Sequence, residues 1–403
     1  MRRKNLLFII PEMAMGGAQR SLSRISDELS VHHNIWVVVF NKHFSTLPGH
    51  VTSVLSLDVE TGTSLVRKVL AFIQRVFRLR KLKKQLSIDV AISFLEGADY
   101  VNILSGRGEK IILSIRGSKL HDENMLRSNF ALRKFLISKL YRFADGIVCV
   151  SNGIAQELIH DFKINRVPVH VINNFYEVDL IDAQAREPLP KSVEELFEFP
   201  TIVMSGRLAV EKGNIFILRV FAVLKNANPE LRLVFVGDGP LRQELIQQAD
   251  MLNLRVAYKE INDALPDVFI TGSEANVFKY LHRARIYVLN SSSEGFPNGL
   301  VEAMACSVPV ISADCPYGPG EILRREPKQD LLLNEEFADF GVLLPILSEQ
   351  ANSENIYNNW VDVLSQFLVS AELRERYSKL GRHRAEMYSK SNAILKWRSL
   401  IES

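Results

Sequence analysis

The stretch IYVLNSSSEGFPNGLVEAMA, residues 286–305, contains a short apolar run, a polar loop and a second segment with helical spacing of its apolar residues. The run Ile286 to Leu289 is typical of a strand that is buried on both faces of a sheet. Pro297 is suited to the first turn of a helix. The stretch therefore predicts a strand, a loop and a helix, which is the repeating unit of a parallel sheet covered by helices.

The same alternation of strand and helix runs along both halves of the chain. In the first half, the strand-like runs are Leu6–Ile10, Asn34–Phe40, Val90–Phe94, Lys110–Ile115, Gly146–Val150 and Val169–Ile172, with a helix from about Gly17. In the second half, they are Thr201–Ser205, Arg232–Val236, Val268–Thr271, Ile286–Leu289 and Val308–Ser312. We predict an α/β protein with two doubly wound, Rossmann-like domains whose ligands bind beyond the carboxyl ends of the strands.

The chain length and a polar segment indicate where the domains lie. At 403 residues, the chain exceeds what one hydrophobic core usually organises. An acidic stretch that contains Pro188 and Pro190 separates the two series of strands. We predict an N-terminal domain over 1–176, a linker over 177–199 and a C-terminal domain over 200–384. The tail from about Ser353 has a helical pattern that we expect to lie mostly on the surface.

Composition restricts the class of protein. With 47% hydrophobic and 24% charged residues, the chain is typical of a soluble globular protein. A net charge of +3 does not by itself indicate nucleic-acid binding. Cys149, Cys306 and Cys315 lack metal-site spacing and leave one thiol unpaired, which favours a reducing compartment. The short apolar run Leu6 to Pro11 is interpreted as a strand rather than a signal peptide, so we expect a cytoplasmic protein.

The predicted helix after Pro297 begins with a potential anion site. The first backbone N–H groups of a helix, here those of Asn298, Gly299 and Leu300, have no partner within it. Together with the helix dipole they would bind a diphosphate. Glu294 lies in the preceding loop and Glu302 within the helix. A capped helix with two solvent-facing acids is the alternative interpretation of this segment taken alone.

Further segments, in their order and spacing, resemble the retaining GT-B glycosyltransferases of family 4, whose signature is the Glu-x7-Glu element present here as Glu294 and Glu302. The segments that carry the resemblance span most of the chain: Gly16–Arg20, Ala144–Ser151, Val171–Asn174, Ser205–Leu208, Glu211–Gly213, Val236–Arg242 and Cys315–Ile322. The resemblance implies a GT-B fold, in which an acceptor-binding domain and a nucleotide-sugar-binding domain face each other across a cleft. It also implies that the last helix, about 385–403, packs back on the first domain.

The resemblance also implies residue roles. Arg207 and Lys212 match the basic pair that neutralises the donor diphosphate as the nucleotide leaves, Glu294 matches the carboxylate near the transferred sugar, and Glu302 matches the residue that accepts hydrogen bonds from the ribose. Either Arg116 or His121 would contact the donor sugar. The other donor-binding candidates are Gly16, Gly17, Asn298, Gly299 and Leu300, with Thr271 and Gly272 in a base pocket formed around Phe269–Gly272.

The reaction implied is the transfer, with retention, of a hexose or N-acetylhexosamine from a nucleotide-diphosphate sugar to a hydroxyl of a glycan or lipid-linked saccharide, and we expect the donor to be a UDP-sugar. Such enzymes assemble bacterial surface polysaccharides and glycoconjugates. No Asp-x-Asp element follows an apolar strand, so we expect no metal and no other cofactor. The alternative is a non-catalytic nucleotide-sugar-binding or membrane-associated partner protein of the same fold. The joint presence of Arg207, Lys212, Glu294 and Glu302 disfavours that alternative.

Residues 65–86 combine apolar residues at helical spacing with many lysines and arginines. A basic amphipathic helix of this kind can lie on anionic lipid, which would place the protein at the inner face of the plasma membrane. Lys134, Lys139 and Arg142 would extend the basic surface. An ordinary surface helix whose apolar face packs on the sheet is the alternative.

Overall fold

The computed structural model describes residues 2–13, 16–41, 54–121, 130–262, 264–326, 328, 332–349 and 354–403. The chain divides into two compact units, the first formed by Met1–Asn174 with Ser391–Ser403 and the second by Phe175–Lys390. Each unit contains one β-sheet with helices connecting its strands, so the predicted pair of Rossmann-like sheets is confirmed. None of the helices within the described ranges is both long and apolar enough to cross a bilayer.

The described strands of the first unit form a seven-stranded parallel sheet in the order β3-β2-β1-β4-β5-β6-β7. The strands are β1 Asn5–Ile9, β2 Asn34–Val39, β3 Val54–Ser56, β4 Val90–Phe94, β5 Lys110–Ile115, β6 Gly146–Cys149 and β7 Val169–Val171. The helices are α1 Gly17–Ser30, α2 Leu65–Gln85, α3 Glu96–Leu104, α4 Phe130–Leu140 and α5 Asn152–His160. The central strands are almost completely buried, as expected for a sheet covered on both faces.

The described strands of the second unit form an eight-stranded sheet in the order β10-β11-β9-β8-β12-β13-β15-β14, in which only β14 is antiparallel to its neighbour. The strands are β8 Thr201–Ser205, β9 Arg232–Val236, β10 Val256–Tyr258, β11 Val268–Ile270, β12 Ile286–Leu289, β13 Val310–Ala313, β14 Glu336–Phe337 and β15 Val342–Leu344. The helices are α6 Val178–Ala185, α7 Lys191–Leu196, α8 Asn214–Ala227, α9 Arg242–Met251, α10 Phe278–Leu281, α11 Asn298–Ala305, α12 Pro319–Leu323, α13 Glu354–Val369 and α14 Ala371–Met387. The final helix, α15, covers Lys390–Glu402.

The structure differs from the predicted linker over 177–199. This stretch contains α6 and α7 and belongs to the second unit, which begins at Phe175. Ile181 and Ala185 of α6 and Val193 and Leu196 of α7 are buried. A few apolar side chains per helix are enough to pack a short helix against a core, even where the surrounding sequence is polar.

Most residues of the C-terminal tail, 354–403, are exposed or half-buried, as predicted, but its helices also bury several large side chains. Trp360 and Phe367 of α13, Tyr377 of α14 and Trp397 of α15 are among the most completely buried large side chains described. From Ser391 onward the chain belongs to the first unit, where Lys4 and Lys110 donate hydrogen bonds to main-chain carbonyls at the end of α15. One large apolar residue per turn buries a helix face although most of its residues are polar.

Candidate active site

The segment that connects β12 to α11 forms the centre of the candidate site. Pro297 precedes α11 as its N-cap residue, with a φ of −68° and a ψ of 104°, rather than lying in the first turn as predicted. Its carbonyl accepts the N–H of Leu300 at 3.2 Å, which closes a tight i to i+3 turn. The prediction that the Leu300 N–H is available to an anion is therefore wrong, and an anion site at this helix start would use the N–H of Gly299.

Lys212 and Glu294 form an ion pair beside this helix start. The Lys212 Nζ atom lies 2.5 Å from Glu294 Oε1, which also accepts the Ser291 hydroxyl at 2.7 Å. Their side chains are 22% and 12% exposed, so the pair is shielded from bulk water without being sealed. Burial alone would lower the pKa of Lys212, but the charge and hydrogen bond of Glu294 raise it above its ordinary value. Lys212 is therefore a cation at neutral pH.

Two loops from neighbouring strands interlock to bring this pair together. Strands β8 and β12 are adjacent in the sheet. After β8, Lys212 ends a short 3-10 turn, and Gly213 follows with a φ of +64°. A Cβ atom at Gly213 would lie 2.5 Å from the main-chain oxygen of Asn290, which directly follows β12. Only glycine permits this left-handed, close approach, which places Lys212 within reach of Glu294.

Arg207 lies on the same β8 loop but has a different partner. It forms an ion pair with Glu211, and its own side chain is 63% exposed. Although burial alone raises the pKa of Glu211, its backbone N–H and the Arg207 guanidinium lower it below its usual value, and Lys212 contributes in the same direction. The main-chain oxygen of Glu211 accepts the Ser292 N–H at 2.8 Å, which fixes the β8 loop to the β12 loop a second time.

Glu302 and Gly299 are both on α11, but their surroundings differ. Glu302 is 2% exposed, so little of its surface is open to a ligand, and a ribose contact at this residue stays a prediction. At Gly299 a Cβ atom would lie 2.5 Å from the Tyr287 hydroxyl and 2.7 Å from Ser205 Oγ. The helix start thus packs tightly on the ends of β12 and β8, and Gly299 is required by that close approach.

The predicted base pocket lies at the end of β11. Phe269 and Ile270 are strand residues buried in the sheet, which removes them from any ligand surface. Thr271 is also buried and donates its hydroxyl to the Gly272 carbonyl at 2.8 Å. Gly272, which follows with a φ of +74°, is buried as well, and the base pocket remains a prediction.

The remaining candidates belong to the first unit. Gly16 is the N-cap of α1 and Gly17 is its first residue. Arg116 directly follows β5 and donates from Nη2 to Ser21 Oγ at 2.5 Å and to Asn174 Oδ1. His121 is exposed and lies at the edge of the described range. Of the two residues proposed to reach the sugar, Arg116 is the one placed at the carboxyl end of a strand.

Two family models match the chain. The model of the Glycosyl transferases group 1 matches residues 199–341, and the model of Glycosyltransferase Family 4 matches residues 15–180. The chain belongs to the family 4 glycosyltransferases. Both models of the family thus match, one in each half of this glycosyltransferase, and the resemblance noted in its sequence is confirmed.

Several known proteins are similar to this glycosyltransferase. One is the N-acetylgalactosamine-N,N'-diacetylbacillosaminyl-diphospho-undecaprenol 4-alpha-N-acetylgalactosaminyltransferase of Campylobacter jejuni, 25% identical over 96% of each chain. Another, from the same organism, is the GalNAc-alpha-(1->4)-GalNAc-alpha-(1->3)-diNAcBac-PP-undecaprenol alpha-1,4-N-acetyl-D-galactosaminyltransferase, 27% identical over 93% of this chain and 97% of the relative. Among solved structures, HepE of Anabaena in complex with UDP and glucose superposes with a TM-score of 0.74 over 100% of both chains at 16% identity, which shows the shared GT-B fold.

In this glycosyltransferase the structure brings Lys212 and Glu294 into direct contact and pairs Arg207 with Glu211, the residue before Lys212. It leaves Gly16, Gly17 and Arg116 in the first unit. Sequence reasoning missed Ser291 and Glu211 as partners of the charged residues. Their spacing was the available signal, since Ser291 lies three residues before Glu294 and Glu211 four residues after Arg207.

Proposed function

We propose that this glycosyltransferase is a retaining, metal-independent enzyme that transfers a hexose or N-acetylhexosamine from a UDP-sugar to a hydroxyl of a glycan or lipid-linked saccharide at the cytoplasmic face of a bacterial membrane. The observation that carries the proposal is the Lys212 and Glu294 ion pair at the start of α11. It combines a cation for the leaving diphosphate with a carboxylate for the sugar hydroxyls.

The proposed mechanism follows from where charge develops. As the bond between the sugar C1 and the phosphate oxygen breaks, negative charge collects on the diphosphate, where Lys212, Arg207 and the α11 dipole stabilise it. An ammonium has three N–H donors, of which Glu294 takes one in the described structure. The acceptor oxygen forms the new bond to C1 on the same face, and its proton passes to the departing phosphate oxygen. Glu294 accepts hydrogen bonds from the sugar and orients it.

The relatives support the choice of substrates. Both Campylobacter relatives are named as N-acetylgalactosaminyltransferases that act on saccharides linked through a diphosphate to undecaprenol. They support an N-acetylhexosamine donor and a lipid-linked acceptor for this chain. The nucleotide is proposed as UDP, with which the Anabaena protein of the same fold was crystallised.

The function is tested with a panel of UDP-, GDP- and ADP-sugars, by measuring binding, slow donor hydrolysis and nucleotide release. We expect a UDP-hexose or UDP-N-acetylhexosamine to be bound and cleaved, with the rate unchanged by EDTA. If EDTA abolishes activity and Mg²⁺ or Mn²⁺ restores it, the enzyme requires a metal, while the proposed sugar transfer still stands. If the folded protein neither binds nor cleaves any donor, the enzyme proposal fails and the non-catalytic alternative takes its place.

We also propose that α2 contacts anionic lipid. Between Leu65 and Gln85 the helix contains no acidic residue. Ala71 and Leu79 pack into the core of the first unit, while a second apolar face is exposed, including Ile73 and Phe77, the latter at 68%. The exposed apolar residues are Leu65, Val66, Val69, Leu70, Ile73 and Phe77, and the exposed basic residues include Arg67, Lys68, Arg80, Lys81 and Lys84. An apolar face flanked by cations suits the surface of an anionic membrane.

One lysine predicted to belong to that basic surface does not. Lys83 is buried, lies 2.7 Å from Glu109 Oε1 and donates to the Asn102 side chain at 2.8 Å. Burial lowers its pKa to about 8, although Glu109 opposes the shift. Lys83 therefore anchors the end of α2 within the first unit and is unavailable to lipid.

Replacing Ile73 and Phe77 together by serine should weaken binding to anionic phospholipid vesicles by at least about tenfold, because two large apolar side chains lose their burial in the interface. Sedimentation with vesicles at about 0.1 M salt measures this, and added salt should weaken the wild-type binding further. Leu395→Ser is the matched control, since Leu395 is an exposed leucine on α15 of the same unit. If the wild-type protein does not sediment with anionic vesicles, the proposed membrane contact is refuted.

A further inference from the structure

The chain passes from one unit to the other twice, once after Asn174 and once after Lys390. Residues 175–177, which follow the first passage, contact residues 388–390, which precede the second. The Tyr176 N–H donates to the Tyr388 carbonyl at 2.9 Å, and Tyr176 forms a parallel bridge with Ser389. Lys390 Nζ lies 2.6 Å from Glu177 Oε2. We call residues 175–177 and 388–390 the passage pair.

Both members of the passage pair touch the start of α11. The Tyr176 hydroxyl donates to Asn298 Oδ1 at 2.7 Å, and Asn298 is the first residue of that helix. Two residues earlier, the Phe296 ring meets the Tyr388 ring edge-on, with centroids 5.1 Å apart and an interplanar angle of 84°. Tyr176 and Phe296 are both buried, so these contacts are shielded from water. The N-cap Pro297 is thus held between two contacts to the same pair of segments.

We propose that Tyr176 is a positioning residue that fixes the start of α11 to the passage pair, so that donor binding at α11 and the conformation of the passage pair are coupled. The inference rests on the proposed function, in which the start of α11 receives the donor diphosphate. Asn298 cannot shift without stretching its bond to Tyr176, and Tyr176 cannot shift without disturbing its backbone bond to Tyr388. Coupling of this kind is reciprocal, so a donor that orders α11 also orders the passage pair.

The test is Tyr176→Phe, which removes the hydroxyl and keeps the ring. The loss of one buried hydrogen bond should raise the Kd for UDP and for the UDP-sugar by about 3–10-fold. The KM for the donor should change more than kcat, because the substitution weakens donor binding rather than the chemical step. In hydrogen exchange, UDP should protect the amides of residues 175–177 and 388–390 in the wild type, and this protection should disappear in the variant.

The control is Tyr357→Phe, since the Tyr357 hydroxyl also donates one hydrogen bond of 2.7 Å in the second unit, to the Arg219 carbonyl. It should leave donor binding and the protection unchanged. Should Tyr176→Phe fail to fold, Asn298→Ala removes the acceptor of the same bond and should also abolish the protection. Donor binding and protection equal to wild type in either folded variant overturn the coupling while the proposed function stands. Failure of wild-type protein to bind any nucleotide or nucleotide sugar overturns both.

Discussion

Replacing Lys212 by methionine should lower kcat for sugar transfer by about 10²–10³-fold, the usual effect of removing one preorganised group that stabilises developing charge. Methionine keeps much of the length of the side chain and removes its ammonium. The donor diphosphate then gains its negative charge without a cation beside Glu294, whose own charge becomes unpaired. Nucleotide release at saturating donor and acceptor measures the effect.

The matched control is Lys225→Met. Lys225 also forms an ion pair in the second unit, at 2.8 Å from Asp267, and its side chain is similarly shielded. Its loss should reduce stability and leave kcat unchanged, because Asp267 precedes β11 at the opposite end of the sheet from the candidate site. If Lys212→Met turns over at the wild-type rate, Lys212 does not stabilise the diphosphate.

Replacing Arg324 by methionine should destabilise the second unit by about 3–5 kcal/mol, because it leaves a buried carboxylate without its partner. Arg324 is buried and donates to Asp314 Oδ2 at 2.9 Å and to Glu336 Oε2 at 2.9 Å. For a unit of this size, the unfolding temperature should fall by roughly 10 °C, as calorimetry would show. Replacing Asp314 by leucine in the same chain should recover much of the loss, since the unpaired charge is then removed.

Arg325→Met is the control for this prediction. Arg325 is the next residue, its side chain is 73% exposed, and it pairs with Asp339 at 3.4 Å. An exposed pair of this kind contributes about 0–1 kcal/mol, so the unfolding temperature should hardly change. Equal effects of the two substitutions would show that the Arg324 network contributes no more than a surface ion pair.

The Arg324 network also bears on activity. Asp314 precedes Cys315, whose buried thiol has its pKa raised by burial and then by the charge of Glu294, while Lys212 lowers it. Further along the same loop, Gly318 lies close to the candidate site, since a Cβ atom there would be 2.6 Å from Pro297 Cδ and 3.4 Å from Glu294 Cβ. At temperatures where Arg324→Met remains folded, it should still lower donor affinity, because the loop after β13 is no longer held at Asp314.

Sequence patterns predicted the long central strands well. Five of them were predicted with the same first and last residues that the structure shows: Val90–Phe94, Lys110–Ile115, Thr201–Ser205, Arg232–Val236 and Ile286–Leu289. Strands buried on both faces need continuous apolar runs, and such runs are visible in a sequence. The strands that were missed, β3, β10, β14 and β15, have two or three residues each, and their pairing depends on the neighbouring strand rather than on their own composition.

The candidate site was predicted only in part, for a related reason. The resemblance to the family named Lys212, Arg207 and Glu294 as candidate site residues. It does not show which of them meet. The ion pair of Lys212 with Glu294 joins residues 82 positions apart, and it forms because β8 and β12 are neighbours in the sheet. Arg207, by contrast, is paired locally with Glu211.

The sequence by itself determined the two α/β units, because strands buried on both faces leave continuous apolar runs, and its motifs carried the resemblance to the family. Only the tertiary structure decided the contacts made across long separations. It showed that Lys83 is buried against Glu109, that Lys212 meets Glu294, and that Tyr176 reaches Asn298. Each of these depends on packing between segments remote in the chain, where the free energy of burial and hydrogen bonding is set by neighbours that no local pattern records.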